Sequence, residues 1–174
     1  MDKVNKAAQE LLDTCNATID ALRSVKAREV LDRIGQASES QYMDIAVLAG
    51  LLCDMPIAAV SLIDDKTTFY KGLSYHEPLT EIDRSAVICN LVVNNPAEGL
   101  FIHDTQDSIV QDYPFVNGKY DRVRFYGGLP LTTKEGFALG TICVLDRVPR
   151  RLNEDQIDAL QRLRRLVLSL MGEG

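Results

Sequence analysis

The side chains with the most intrinsic reactivity are four cysteines, Cys15, Cys53, Cys89 and Cys143, and two histidines, His76 and His103. A thiolate can attack, be oxidised or bind a soft metal. These thiols are scattered without a Cys-x-x-Cys pair, so neither a structural zinc site nor a disulfide framework is expected. Cys89 sits among Val87, Ile88 and Leu91, a setting in which cysteine serves as a small apolar core residue. Cys143 falls in mid-strand and reads as buried. Two arginines, Arg84 and Arg124, could each pair a ligand carboxylate or phosphate; equally, they could answer Asp83 and Asp104 in ordinary ion pairs that fix loops. His103 and Asp104 are adjacent, and adjacent strand residues point to opposite faces, so they form no catalytic dyad. No Ser-His-Asp order, phosphate-cradling glycine loop or metal motif is present.

The elements that must position these residues are clearest at 122–146. Two apolar runs, 123–131 and 137–145, flank the polar turn 132–136, which is the pattern of a β-hairpin. In the second run Phe137, Leu139, Thr141, Cys143 and Leu145 alternate with Ala138, Gly140, Ile142 and Val144, so neither face is polar enough to meet water. This predicts a central strand covered on both sides. Gly140 and the Gly127-Gly128 pair leave room for close approach of a helix or a neighbouring backbone.

Upstream, Val4, Ala8, Leu11, Cys15, Thr18, Leu22 and Val25 step by four and three, one seam on a long helix with coiled-coil-like spacing. Leu12 and Ile19 widen that stripe. The helix either dimerises with a second helix or packs on its own domain. The pattern breaks near Gly35, and Ser38 reads as an N-cap for a second helix over 39–53 burying Ile45, Leu48, Ala49 and Leu52. Pro56 ends it. Strands are predicted at 57–64 and 67–72, a loop at 73–84, a helix at 85–94 and a short strand at 100–103. Residues 104–120 form a long irregular stretch of the kind that is functional or mobile. Pro149 and Asn153 introduce a last helix with a stripe of Ile157, Leu160, Leu163, Val167 and Leu170, and Arg162, Arg164 and Arg165 opposite. The expected architecture is α+β: an antiparallel sheet of five or six strands, long terminal helices on one face, short helices and loops on the other.

A chain of 174 residues suits one domain with a sizeable core plus a helical extension. Its net charge of −6 and pI near 4.9 come without a Lys/Arg block, which leaves no basic footprint for nucleic acid or an anionic membrane. No apolar run approaches a membrane span and the start is no signal peptide, so a cytoplasmic location is expected.

Arg124 through Leu131 (RFYGGLPL), Gly136, Leu139 through Asp146 (LGTICVLD), Pro149-Arg150 and Leu152 together resemble the C-terminal half of a GAF domain of the bacterial signalling type. The resemblance extends back through Asp104, Cys89 and Arg84 to Pro56-Ile57-Ala58 and the VSLID of 60–64, covering about residues 38–171. It divides the chain into an N-terminal dimerisation and signalling helix, 1–37, and a GAF-like domain, 38–174. It implies a ligand pocket on the loop-covered face, roofed by 85–94 and 104–120. Candidate ligand-binding residues are Arg84, Cys89, His103, Asp104, Phe115, Arg124 and Tyr126, with Arg124 or Arg84 meeting the ligand's polar end.

The resemblance implies a sensory or regulatory module in a two-component or similar pathway, a homodimer that binds an unidentified small molecule. Occupancy would be transmitted through the terminal helices to an output such as a histidine kinase or diguanylate cyclase. Covalent bilin is disfavoured, because the attachment cysteine of bilin-binding relatives precedes histidine and these four precede Asn16, Asp54, Asn90 and Val144. Cyclic nucleotide is disfavoured by the lack of an Asp-Glu dipeptide. Two other readings stay open. One is a ligand-free dimerisation scaffold with its pocket filled by Phe115 and Phe125; the other is an enzyme resembling free-methionine sulfoxide reductases, which would need an attacking and a resolving thiol within reach.

Overall fold

The computed structural model describes residues 2–34, 39–75 and 78–174. Gly35, Ser38 and His76, considered above as a helix break, an N-cap and an imidazole ligand, lie outside the described residues. Among the described residues four helices, α1 (Asp2–Ile34), α2 (Glu39–Cys53), α3 (Cys89–Asn94) and α4 (Glu154–Leu170), accompany six strands. The strands are β1 (Ile57–Ile63), β2 (Thr67–Ser74), β3 (Glu81–Asp83), β4 (Leu100–Ile102), β5 (Phe125–Thr132) and β6 (Ala138–Asp146). They form one antiparallel sheet in the order β3-β2-β1-β6-β5-β4. The expected α+β architecture is what forms, with β1 and β6 central and buried on both faces.

One face is covered by helices. Ala27, Val30 and Ile34 of α1, Tyr42 and Ala49 of α2, and Leu160, Leu163 and Val167 of α4 pack on Val60, Leu62, Phe125 and Ile142 of the sheet. The start of α4 is fixed by a capping box in which Asn153 and Gln156 each accept a hydrogen bond from the other's backbone N–H. Gln156 also donates to the Cys53 carbonyl at 2.9 Å, tying α4 to the end of α2. The other face is covered by α3 and the 104–123 segment, with Val87, Val92, Val110 and Val116 over Ala59, Tyr126 and Cys143.

Four expectations need correction. The second helix buries Tyr42, Ile45, Ala46, Ala49 and Gly50, while Leu48 and Leu52 are exposed; α2 lies on the sheet by its small residues, which permit close approach, and its leucines turn outward. Strict alternation fails at the start of β6, where Leu139 joins Ile142 and Val144 on the helix-covered face. The register with β5 shifts between Pro130 and Thr132, an extra β6 residue that resets the alternation. Gly140 lies in this bulge, and a Cβ there would stand 1.9 Å from the Ser61 carbonyl oxygen. The predicted 73–84 loop contains the edge strand β3. The predicted 85–94 helix is a 3-10 turn at Arg84–Ala86, capped by Asp83, then extended backbone at Val87 and only then α3.

Helix α1 has two stripes. Arg23, Ala27, Val30 and Ile34 face the domain, whereas the seam from Val4 to Val25 stays out: Leu11, Leu22 and Val25 are all more than half exposed. Val25 sits two residues from both Arg23 and Ala27, about 200° around the helix. The seam is therefore not the surface by which α1 docks on its own domain. Residues 4–19 are exposed throughout, a helical projection of about 24 Å at the usual rise.

Candidate functional site

The loop-covered face holds a cavity of about 40 Å³ between the sheet and the segment leading into α3. Its walls include Tyr70, Cys89, Phe115, Tyr126 and Cys143, and none of the described lining residues is charged. Strand alternation delivers the floor. On β6, Thr141 and Cys143 point to this face, as Ser61 does from β1, and the Ser61 and Thr141 hydroxyls lie 3.1 Å apart. On β5 the Tyr126 ring leans along the strand over Gly128, where a Cβ would stand 2.3 Å from the phenol oxygen. That empty position lets the Tyr126 hydroxyl donate to the Cys89 sulfur at 3.3 Å.

The two thiols meet: Cys89 Sγ and Cys143 Sγ are 3.8 Å apart, both buried. Cys143 and Tyr126 hydrogen-bond the Cys89 sulfur, and the first of these contributes most to holding its thiol down to about 7, against the opposing effect of burial. The same hydrogen bond, together with burial, pushes Cys143 well up. The pair is thus asymmetric, one sulfur ready to carry negative charge and the other to keep its proton. Burial pushes the Tyr126 phenol well up too, so it stays a donor.

Three of the seven candidate residues, Cys89, Phe115 and Tyr126, line the cavity. Arg124 instead makes a two-pronged pair with Asp104, Nε to Oδ1 at 2.8 Å and Nη2 to Oδ2 at 2.5 Å. Asp104 also caps a 3-10 turn by accepting from the Gln106 N–H. His103 faces the Arg150 carbonyl, 3.1 Å from its ring nitrogen, so it and Asp104 have separate partners. Phe125 packs on the helix-covered face and does not fill the cavity.

Arg84 is buried and fully engaged, and its partner is not Asp83. Its guanidinium clamps Asp20 of α1 at 2.9 and 3.0 Å, donates to the side chains of Asn90 and Asn94 on α3, and reaches the Asp64 carbonyl. Beside it Arg23 of α1 donates to the carbonyls of Ile63 and Asp64 and to Asp20. One polar cluster thereby joins α1, the β1–β2 turn and the cavity roof. Asp20, Asn90 and Asn94 carried no signal in the sequence, being polar residues on helix surfaces. Thr141 did carry one, as a hydroxyl in an apolar strand two residues from Cys143, where period-two alternation puts both on one face.

Among the described residues no three His, Cys, Asp or Glu side chains gather as a metal site, and no helix is long and apolar enough to cross a membrane.

No family model matches the chain. It is 29% identical over 143 residues to a cyclic di-GMP phosphodiesterase of Pseudomonas aeruginosa, an alignment covering 80% of this chain and 24% of that protein. The chain thus spans about a quarter of the length of the curated relative it matches. Among solved structures it is similar to the GAF domain of an Acinetobacter phosphoenolpyruvate-protein phosphotransferase, with a TM-score of 0.60 at 12% identity over 87% of this chain and 93% of that one. It is also similar to a type II free methionine-R-sulfoxide reductase from Thermoplasma acidophilum, with a TM-score of 0.61 at 13% identity over 78% and 93%. The resemblance read from the hairpin motifs and the architecture of the sheet agree with these likenesses: the chain has the GAF fold.

Proposed function

We propose that this chain is a sensory module whose cavity state is transmitted to α1. The observation that carries this reading is the Arg84 cluster, in which one guanidinium holds both α3, the roof of the cavity, and Asp20 of α1. A ligand that displaced α3 would have to move or break those bonds, so its differential affinity for the two arrangements would bias the placement of α1. The ligand class is small and free of negative charge, since the lining offers no cation to pair one and Cys89 can itself carry a negative charge. A free amino acid such as methionine sulfoxide, with its ammonium and carboxylate, is a poor match, which argues against the reductase reading even though two thiols are close. In the stretch shared with the phosphodiesterase, the proposed role is regulatory, with output chemistry elsewhere.

The scaffold reading has one observation in its favour: about 40 Å³ is far below the roughly 300 Å³ at which ligand pockets begin. Native mass spectrometry of freshly purified chain separates the two. A retained small molecule or a mass shift on exposure to cell extract supports the sensor; a bare protein under both conditions overturns it.

The partner proposed for the outer seam of α1 is a second copy. Leu11 and Leu22 are exposed by 67% and 54%, and helices in proteins draw most of their stability from packing such an apolar face. In a parallel, in-register pair the exposed Cys15 meets its own copy, so mild oxidation should give a Cys15-linked dimer. Leu11→Glu with Leu22→Glu would put charges into the seam at a cost of several kcal/mol and should yield monomers in sedimentation. A double mutant that stays dimeric at the wild-type concentration sinks this interface.

A further inference from the structure

We propose that Cys89 and Cys143 form a redox site that a small peroxide closes to an intramolecular disulfide linking α3 to the central strand β6. Four observations carry it. The sulfurs are 3.8 Å apart, so closing to the roughly 2.05 Å of a disulfide asks for less than 2 Å of approach. One partner sits at the start of a six-residue helix flanked by extended backbone at Val87, an element short enough to yield that distance. Both thiols line the cavity, whose volume of about 40 Å³ and uncharged lining admit a molecule little larger than water and exclude bulky or ionic oxidants. The donors on Cys89 favour its thiolate, which attacks, while Cys143 retains the proton that its resolving role later releases.

The chemistry balances without a further reactant. The Cys89 thiolate attacks one peroxide oxygen, forming S–O as O–O breaks, and the departing hydroxide takes up the proton Cys89 lost to become water. The Cys143 sulfur then attacks the sulfenic sulfur of Cys89. The S–S bond forms, the S–O bond breaks, and the hydroxide leaves with the Cys143 proton as a second water. Two thiols lose two electrons to one hydrogen peroxide. Closure would also draw on Asn90 and Asn94, which Arg84 ties to Asp20. That consequence rests on the transmission reading above, whereas the disulfide itself stands whether or not the cavity takes a ligand.

The test uses the full chain carrying Cys15→Ser, fully reduced, treated with one equivalent of hydrogen peroxide, alkylated and mapped by peptide mass spectrometry. The expected product is a single cross-linked peptide pair containing Cys89 and Cys143, with Cys53 alkylated only after denaturation and both thiols recovered with dithiothreitol. Oxidised glutathione at the same concentration should react at least tenfold more slowly. In Cys143→Ser, Cys89 should stall as a sulfenic acid trapped by dimedone. Free Cys143 beside irreversibly oxidised Cys89, or recovery of both thiols unmodified after peroxide, overturns the proposal, and equal rates with glutathione overturn the cavity as the route. Because the mapping is done on a chain that keeps both thiols, it holds even if Cys143→Ser fails to fold.

Discussion

Cys53 and Cys89 are buried to 1% and 4% exposure, one against each face of the same sheet, and their chemistry could hardly differ more. Cys53 ends α2 among helix-packed side chains, and burial alone pushes its thiol up to about 11. Cys89 is just as dry, but Cys143 and Tyr126 hydrogen-bond its sulfur and help bring it down to about 7. Burial by itself makes a thiol inert; burial among fixed donors makes it reactive. The same contrast separates the two faces. Long helices cover one, packing Ala49, Leu160, Leu163 and Val167 against the sheet. Short elements cover the other, where hydroxyls, thiols and a cavity share a floor built by strand alternation.

The largest effect that would break this comparison is in thiol ionisation. At pH 7 Cys89 should be substantially thiolate and Cys53 almost wholly protonated. Thiolate absorbance in a Cys15→Ser background should therefore rise by one proton's worth as pH passes about 7, the second thiol of the pair ionising only far above it. Tyr126→Phe removes one donor and should shift that transition upward. A transition unmoved by the loss of the phenol, or absent near neutrality, would place Cys89 in the same class as Cys53.

Next in size is Arg84, which belongs to neither face but joins them. Arg84→Ala leaves Asp20, Asn90 and Asn94 without their shared donor. Breaking a buried pair costs about 3–5 kcal/mol, and because the Asp20 side chain is 37% exposed, about 2 kcal/mol is the expected loss. Denaturant unfolding measures it, and hydrogen exchange should show faster opening around Asp20 and Arg23 in the mutant. Arg84→Lys keeps the charge but not the planar fork, and should fall between. Unchanged stability and unchanged exchange would leave α1 uncoupled from the cavity roof.

How much of this could be read beforehand follows the range of the interactions. The β5–β6 hairpin, the Asn153 cap and the α4 stripe rest on neighbours within a few residues, and the chain spells them out. Leucines look like core by residue type alone, and only the sheet's proximity makes Ala46, Ala49 and Gly50 the face that α2 buries. The bulge at Gly140 answers the Ser61 backbone on another strand. Arg84 lies 64 positions from Asp20, and Cys89 lies 54 from Cys143. No local pattern could choose Asp20 over the adjacent Asp83 as the arginine's partner, and although the fold resemblance allows Cys89 and Cys143 to be neighbours, only the packing of α3 on β6 brings their sulfurs to 3.8 Å.

The smallest expected effect concerns Arg124, a cation on the loop-covered side but outside the cavity. Its guanidinium meets Asp104 through two hydrogen bonds and holds that carboxyl below the usual carboxylate range, with the Gln106 N–H assisting. A group whose folded-state pKa is depressed adds stability above its unfolded pKa, and that contribution is lost as pH falls through the folded value. The pair should therefore stabilise the 104–107 turn at neutral pH, begin to lose that contribution as pH falls below about 4, the ordinary carboxylate value, and lose it fully only beneath the depressed folded value. Both side chains are partly exposed, which makes the contribution small and salt-sensitive. Arg124→Ala should lower the melting temperature slightly at pH 7, show a deficit that shrinks as pH falls below about 4, and leave peroxide-driven closure of Cys89 and Cys143 at its wild-type rate. A mutant that melts like wild type at pH 7 yet alters that rate would draw Arg124 into the cavity's chemistry and blur the line between a reactive floor and a structural rim.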